Sequence, residues 1–443
     1  MDQKPNQEMG TIPGPIGLPL LGNLPQLLPN PLPQIRRLHR RFGNIFYAGF
    51  ARNSRSVFLL GPEATKLALI DESASFSNRL GYLGQSNFIG KKAILFRDGE
   101  DHLALRQAMN GAFRPAALDR YLPAMNVHVD EQLSAFSLSG SRTNVGAEIR
   151  LMSLNIAAEV IAGARLDTDA SLINENFVNM LKGMVSIGPR LPGTRAWKGA
   201  RSREFLDRYF RVQIADRRLA SSSDLFTKIC QIADGMGLDE DDVIDNMLGV
   251  LVASYETTAT TISMMLYLLA KHPEWQERLH TEVIARRTEP NSFDRNELEE
   301  LVEMEWALKE TLRLYTPLSY FPRRTLRDVE IEGHIIPSNT AVTIAPAFTH
   351  QIESIFAKPD RFDPTRFSPS RAEDRVHVCA WMPFGKGEHT CMGMHFARLE
   401  IKAFFAKLLR QFRFELTNQA PPSLRYVPVL RPISPLPIHF EPR

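Results

Sequence analysis

Pro383-Phe384-Gly385-Lys386-Gly387-Glu388-His389-Thr390-Cys391-Met392-Gly393 is the stretch from which the rest of the chain can be read. It is a glycine-rich loop running into a helical pattern over about Met392 to Phe412. Gly385 and Gly387 permit backbone turns that bulkier residues resist. Cys391 falls at the N-terminal end of that helix, where free N–H groups and the helix dipole favour a thiolate over a thiol. A lone cysteine is ordinarily a small buried apolar residue. The setting of this one suits metal ligation, with backbone N–H bonds tuning the sulfur.

Cysteine usage elsewhere is sparse. The 443 residues hold three, Cys230, Cys379 and Cys391, with no CxxC pair. That argues against a disulfide framework and for a reducing compartment. A 44% hydrophobic, 23% charged chain is globular and can bury a core around a pocket. A net charge of +3 excludes a nucleic-acid binder on bulk charge. Residues 1–30 form a proline-rich opening segment without a signal-peptide pattern, and Pro19 and Pro25 interrupt its apolar run Leu18 to Leu28. A cytoplasmic protein with no membrane anchor is expected.

Helical patterns dominate. One runs from about Leu32 to Phe42. A long one, roughly Glu240 to Lys271, stops at His272-Pro273, and a charged amphipathic one, Arg295 to Leu314, stops before Pro317. Met247 to Ala270 carries one charge, Glu256. A buried central helix explains that apolarity better than a membrane span, since a carboxylate at mid-bilayer is expensive. Phe46 to Leu60 reads as a hairpin turning at Asn53-Ser54, and Val329 to Ile336 and Ala341 to Ala345 read as strands. The expectation is one large domain over 1–443, mainly α with minor β.

Three further constellations stand out. Glu310 and Arg313 sit i,i+3 on one helix face and can pair. His102 and Arg106, i,i+4, place two donors on one face, although a solvated face is the plain alternative. Glu256-Thr257, inside Ala253-Ser254-Tyr255-Glu256-Thr257-Thr258, puts an acid beside an alcohol in the long helix. Such a pair can relay protons; the alternative is a buried threonine bonded to the i−4 carbonyl.

Phe384, Gly387, Cys391 and Gly393, extended by Gly385, His389, Ala397 and Glu400, resemble the haem-binding signature of the cytochrome P450 superfamily. The resemblance runs through almost the whole chain, with the motifs in the family's order. It implies a haem b buried between the long central helix and the cysteine-loop helix, with Cys391 as the iron ligand. It implies that His389, His102, Arg106 and Arg323 (preferred over Arg324) reach the haem propionates, and that Phe384 shields the sulfur. It implies that Arg366 joins Glu310 and Arg313 in a clamp on the cysteine loop, and that Glu256 and Thr257 serve oxygen activation. Ser254 departs from the family pattern, which has glycine there.

The implied activity is a monooxygenase inserting one atom of O2 into a small hydrophobic substrate. The family's topology implies pocket walls at Phe76 to Ile94, Phe177 to Trp197, Leu248 to Thr257, Leu318 to Phe321 and around Val427 to Leu430, stretches poor in charge that suit a hydrophobic substrate. Ile187-Gly188-Pro189-Arg190-Leu191-Pro192-Gly193 resembles segments of sterol- and retinoid-oxidising relatives, which points to a terpenoid, sterol or retinoid, with a fatty acid or polyketide as the alternative. The chain has no flavin or nicotinamide fingerprint, so NAD(P)H electrons are expected through a separate acidic ferredoxin or flavodoxin with its reductase. Arg398 with Lys402, Lys407 with Arg410, and Lys386 are candidate steering charges. A monomer is expected. The competing readings are a peroxide-driven haem-thiolate peroxygenase and a non-catalytic haem-binding protein.

Overall fold

The computed structural model describes residues 12–15, 23, 30–49, 55–138, 141–142, 144–163, 170–184, 186, 189–221, 224–286 and 293–443. The apolar run 18–28, the 53–54 turn and residues 187 and 188 of the 187–193 run lie outside the described residues. The chain divides into two compact units, one of Met1–Tyr82, Trp306–Cys391 and Ser423–Ile433, the other of Leu83–Glu305, Met392–Pro422 and Ser434–Arg443.

The first unit is organised by a five-stranded sheet in the order Ile45–Gly49, Arg55–Leu59, Ala341–Ile344, Phe321–Thr325, Phe76–Ser77. Period-two alternation gives it two apolar faces. Ile45, Val57, Leu59, Phe321, Val342 and Ile344 pack on one side. Phe46, Ala48, Phe58 and Leu60 pack on the other, against Leu32, Ile35 and Leu38 of the helix Leu32–Phe42. The Val329 to Ile336 stretch is not one strand. It folds into a hairpin, Val329–Ile331 with His334–Ile336, because Glu332 and Gly333 both take positive φ (47° and 76°) and make a two-residue turn.

The second unit is mostly helical. Its longest helix, Glu240–Lys271, starts at an Asp239–Asp242 capping box and ends at His272. Every residue from Thr258 to Leu269 is buried, which is why this stretch shows no amphipathic stripe. Among the described residues, no helix is long and apolar enough to cross a membrane. The Arg295 to Leu314 pattern resolves into two helices, Arg295–Glu299 and Val302–Leu314. The break is supported by tertiary contacts. Lys402 Nζ donates to the Leu298 and Leu301 carbonyls at 3.1 and 3.3 Å, and the Glu282 carboxylate accepts from the Glu303 and Met304 N–H groups at 2.7 and 2.9 Å. These contacts satisfy the groups a continuous helix would have paired internally.

Candidate functional site

Glu310 and Arg313, on the Val302–Leu314 helix, are fully buried, as is Arg366 in the short turn Pro364–Phe367. Arg313 grips Glu310 with two N–H groups (2.7 and 2.9 Å), and Arg366 Nε donates to the same carboxylate at 3.1 Å. The Asp363 N–H adds a fourth bond to Glu310 at 2.9 Å. Arg366 also donates to Glu373 (2.8 Å), and Arg313 to the His350 carbonyl (2.8 Å). Two guanidiniums thus meet two carboxylates, with backbone carbonyls taking the remaining donors, the condition under which buried charge is tolerated.

The clamp reaches the cysteine loop through residues the motif reading missed. The His350 carbonyl is held by Arg313, while its ring accepts from the Met382 N–H at 2.9 Å. Trp381 Nε1 donates to the Lys309 carbonyl at 3.2 Å, and its ring meets Phe384 edge-on with centroids 6.3 Å apart. No spacing rule could have found His350, whose ring partners lie 34 residues before and 32 after it.

The loop itself turns at Gly385 and Gly387, both left-handed (φ 73° and 71°). A Cβ on Gly387 would come 1.9 Å from the Leu69 carbonyl oxygen, so side chains are excluded there. Gly385 N–H donates to Met382 O at 3.1 Å, and Cys391 N–H to Phe384 O at 2.8 Å. The helix begins at Met394 with Gly393 as its N-cap, two residues later than the sequence suggests, because Met392 and Gly393 form a turn. Cys391 is exposed, whereas Cys230 and Cys379 are buried. Burial pushes those two thiols up to about 12 and 11, holding them as inert neutral thiols. Phe384 and His389 are half-buried.

On the strand Phe321–Thr325, alternation separates the two candidate arginines. Arg324 turns outward and binds the Asn339 carbonyl at 2.9 Å. Arg323 turns inward, is buried, donates to the Pro322 carbonyl at 2.8 Å and sets its charge near the Tyr82 phenol, whose own ionisation is pushed up by burial. On the helix Gly99–Met109, His102, Leu105 and Met109 are buried and Arg106 is half-buried. His102 and Arg106 therefore occupy the inward face, not a solvated one. Burial, then the Arg106 charge, pulls the His102 pKa down, leaving it a neutral donor.

The long helix changes character at its centre. Gly249, Val250, Val252, Ser254, Glu256 and Thr257 are partly exposed and Ala253 is exposed, between buried stretches on either side. Thr257 Oγ1 donates to the Ala253 carbonyl at 2.7 Å, so its lone pairs point away as acceptors. Ser254 Oγ donates to Leu251 O at 3.1 Å, and the helix runs unbroken through it.

Of the expected steering charges around Cys391, the two lysines of the helix are not surface features, whereas Lys386, Arg398 and Arg410 are partly exposed. Lys402 and Lys407 are 4% and 2% exposed. Arg398 and Lys402 both pair with Glu305, and Lys407 pairs with Asp130 at 2.8 Å. Arg410 lies over the Phe293 ring. Helical spacing reports which residues share a face but not which of them the protein covers, and here it covers the lysines.

The comparisons agree with the geometry. The Cytochrome P450 family model matches residues 12–440. The chain is 31% identical over 447 aligned positions to the protein described as "Putative cytochrome P450 136" of Mycobacterium tuberculosis, covering 99% of this chain and 90% of that protein. It is 28% identical to abscisic acid 8'-hydroxylase 1 of Arabidopsis thaliana, over 96% of this chain and 90% of that one. Its fold matches the retinoic acid-bound structure of cyanobacterial CYP120A1 with a TM-score of 0.87 at 26% identity, over 98% and 99% of the two chains. With its thiol-bearing glycine loop, buried Glu–Arg–Arg clamp and family match along nearly its full length, this chain belongs to the cytochrome P450 superfamily and has the haem-thiolate monooxygenase fold.

Proposed function

We propose that residues 1–443 act as one P450 domain that binds haem b through the Cys391 thiolate and inserts one atom of O2 into an isoprenoid. The observation that carries this is the contrast among the three cysteines: one thiol is exposed on a preformed glycine loop and two are buried. The residues present fit the group. The Gly387 cradle admits no side chain. The central helix leaves an apolar, alcohol-bearing face uncovered among its own neighbours. His102, Arg106, Arg323 and His389 supply donors of the kind that bind carboxylate propionates.

Haem bound by a thiolate supplies oxygen activation, since the sulfur's electron density favours O–O cleavage. The chain's own residues do the rest. Gly385, Gly387 and Gly393 shape the loop that presents the sulfur, and Phe384 shields it. Thr257 Oγ1, anchored through its hydrogen to Ala253 O, accepts a hydrogen bond from what lies before it, and Glu256 brings protons to that position. Apolar walls exclude water and select a hydrophobic substrate.

The isoprenoid reading draws support from the relatives: one is named for abscisic acid hydroxylation and one was solved with retinoic acid, both isoprenoid acids. Electrons from NAD(P)H arrive through a separate ferredoxin or flavodoxin with its reductase, and the protein works as a cytoplasmic monomer. The Glu256-Thr257 pair favours this over peroxide-driven or non-catalytic haem binding.

The test is spectroscopic. Reduced and carbon monoxide-bound, the protein shows the strongly red-shifted Soret band of thiolate ligation, and Cys391→Ala loses it. A band that survives the substitution overturns the ligand assignment. Spin-state titration with isoprenoid acids against fatty acids of equal length then tests the substrate class.

A further inference from the structure

We propose that His350 is a positioning residue for the Cys391 loop, acting as a fixed neutral hydrogen-bond acceptor between the Glu310–Arg313–Arg366 clamp and Met382. This rests on the haem-thiolate reading above.

The hydrogen bonds determine the tautomer. Thr316 Oγ1 lies 2.8 Å from the Leu312 carbonyl and 2.8 Å from His350 Nδ1. A carbonyl can only accept, so the threonine hydrogen goes to Leu312. The threonine oxygen must then accept from the ring, and Nδ1 carries the hydrogen. Nε2 faces the Met382 N–H at 2.9 Å, and a backbone N–H can only donate, so Nε2 is the acceptor. Both ring nitrogens and the carbonyl are therefore committed, Nδ1 and the carbonyl to Thr316 and Arg313 at one helix end and Nε2 to Met382 before the cysteine loop.

A second proton on the ring would set an Nε2–H against the Met382 N–H. His350 is fully buried beside the Arg313 charge, and both effects disfavour the cation. The ring is also held in place by Phe356, met edge-on at 6.5 Å, which itself stacks under Arg313.

From Met382 the order passes down the loop in two steps. The Met382 carbonyl accepts from Gly385 N–H, which sets the first left-handed turn, and the Phe384 carbonyl between them accepts from Cys391 N–H. Removing the Nε2 acceptor strands a buried N–H at the head of this series. The loop then relaxes, and the sulfur loses its fixed presentation.

The experiment compares three substitutions in the holoprotein. Glutamine places a carbonyl oxygen close to the Nε2 position, asparagine reaches only the Nδ1 position, and phenylalanine keeps the ring without polar atoms. His350→Gln retains the red-shifted Soret band and slow hydrogen–deuterium exchange in the Trp381 to Cys391 peptide. His350→Asn and His350→Phe lose more than half of the band and exchange that peptide at least tenfold faster. A merely structural histidine gives the opposite pattern: all three variants melt earlier, with band fraction and peptide exchange as in wild type, and that overturns the proposal. Should His350→Phe fail to fold, the contrast with His350→Gln rests on His350→Asn, whose shorter side chain offers Met382 no acceptor. Unchanged exchange in that variant also overturns it. If wild type itself lacks the band, the haem-thiolate reading fails. If wild type has it, Cys391→Ala lacks it and the His350 variants match wild type, only this inference fails.

Discussion

Thr257 keeps its hydrogen on the Ala253 carbonyl in the structure, the arrangement a plain buried threonine would also adopt. The two roles separate on substitution. A structural threonine replaced by alanine leaves coupling unchanged. In the proposed role, Thr257→Ala consumes electron donor and releases peroxide with little product, read as the ratio of product formed to donor oxidised. Glu400 makes a different claim on the same method. Its carboxyl is wholly buried, accepts one bond from Ser153 Oγ at 2.7 Å, and burial pushes its pKa up to about 8 from an ordinary 4.5. Between these values the folded chain keeps a proton that the unfolded chain has released, so stability is complete below the lower value and falls as pH rises toward the upper one. Glu400→Gln keeps the neutral shape without the titration. Its Tm at pH 8.5 should exceed wild type by on the order of a few degrees, with no gain at pH 4.5. Parallel melting curves across that range would refute the buried, protonated state.

The turn Pro364–Phe367 and the helix Val302–Leu314 are joined by a carboxylate shared between two guanidiniums, with every partner at 0% exposure. Removing one member leaves the others charged and dry. Arg366→Ala should cost about 3–5 kcal/mol in urea unfolding of the holoprotein. A loss under about 1 kcal/mol, the figure for an exposed pair, would mean that water reaches the site. The helix Met394–Gln411 carries a similar lesson. Lys407 pairs with Asp130 in its buried setting, so Lys407→Glu sets two carboxylates together. The expected outcome is lost stability with the residual folded protein reduced by its donor at an unchanged rate. A slower reduction without destabilisation would restore the docking role that burial argues against.

The two compact units are each assembled from distant segments, and the chain passes between them at residues 83, 306, 392, 423 and 434. The passage at 306 lies inside a continuous helix, Val302–Leu314. Neither unit is a contiguous piece that could fold from its own stretch of sequence, so calorimetry should show one cooperative transition. Two resolved transitions would divide the domain proposed here. Much of this organisation was legible beforehand. The long helix ends where His272-Pro273 places it, and the Leu32–Phe42 helix and the flanking strand pair follow their periodicity. The glycine loop announced itself because left-handed turns and a close backbone approach leave glycine few substitutes. Glu310 and Arg313 were readable as a pair because helical spacing is local geometry.

What the sequence determined by itself, then, was most of the elements, the family, and the pairing of Glu310 with Arg313, since propensity, periodicity and turn chemistry act over a few residues. Only the tertiary structure decided which faces are covered. It sealed Cys230, Cys379, Lys402 and Lys407 and left Cys391 exposed. It turned Arg323 in and Arg324 out, and it brought His350 between Thr316 and Met382. Burial and long-range hydrogen bonding depend on neighbours that are distant along the chain, and no local pattern carries that information.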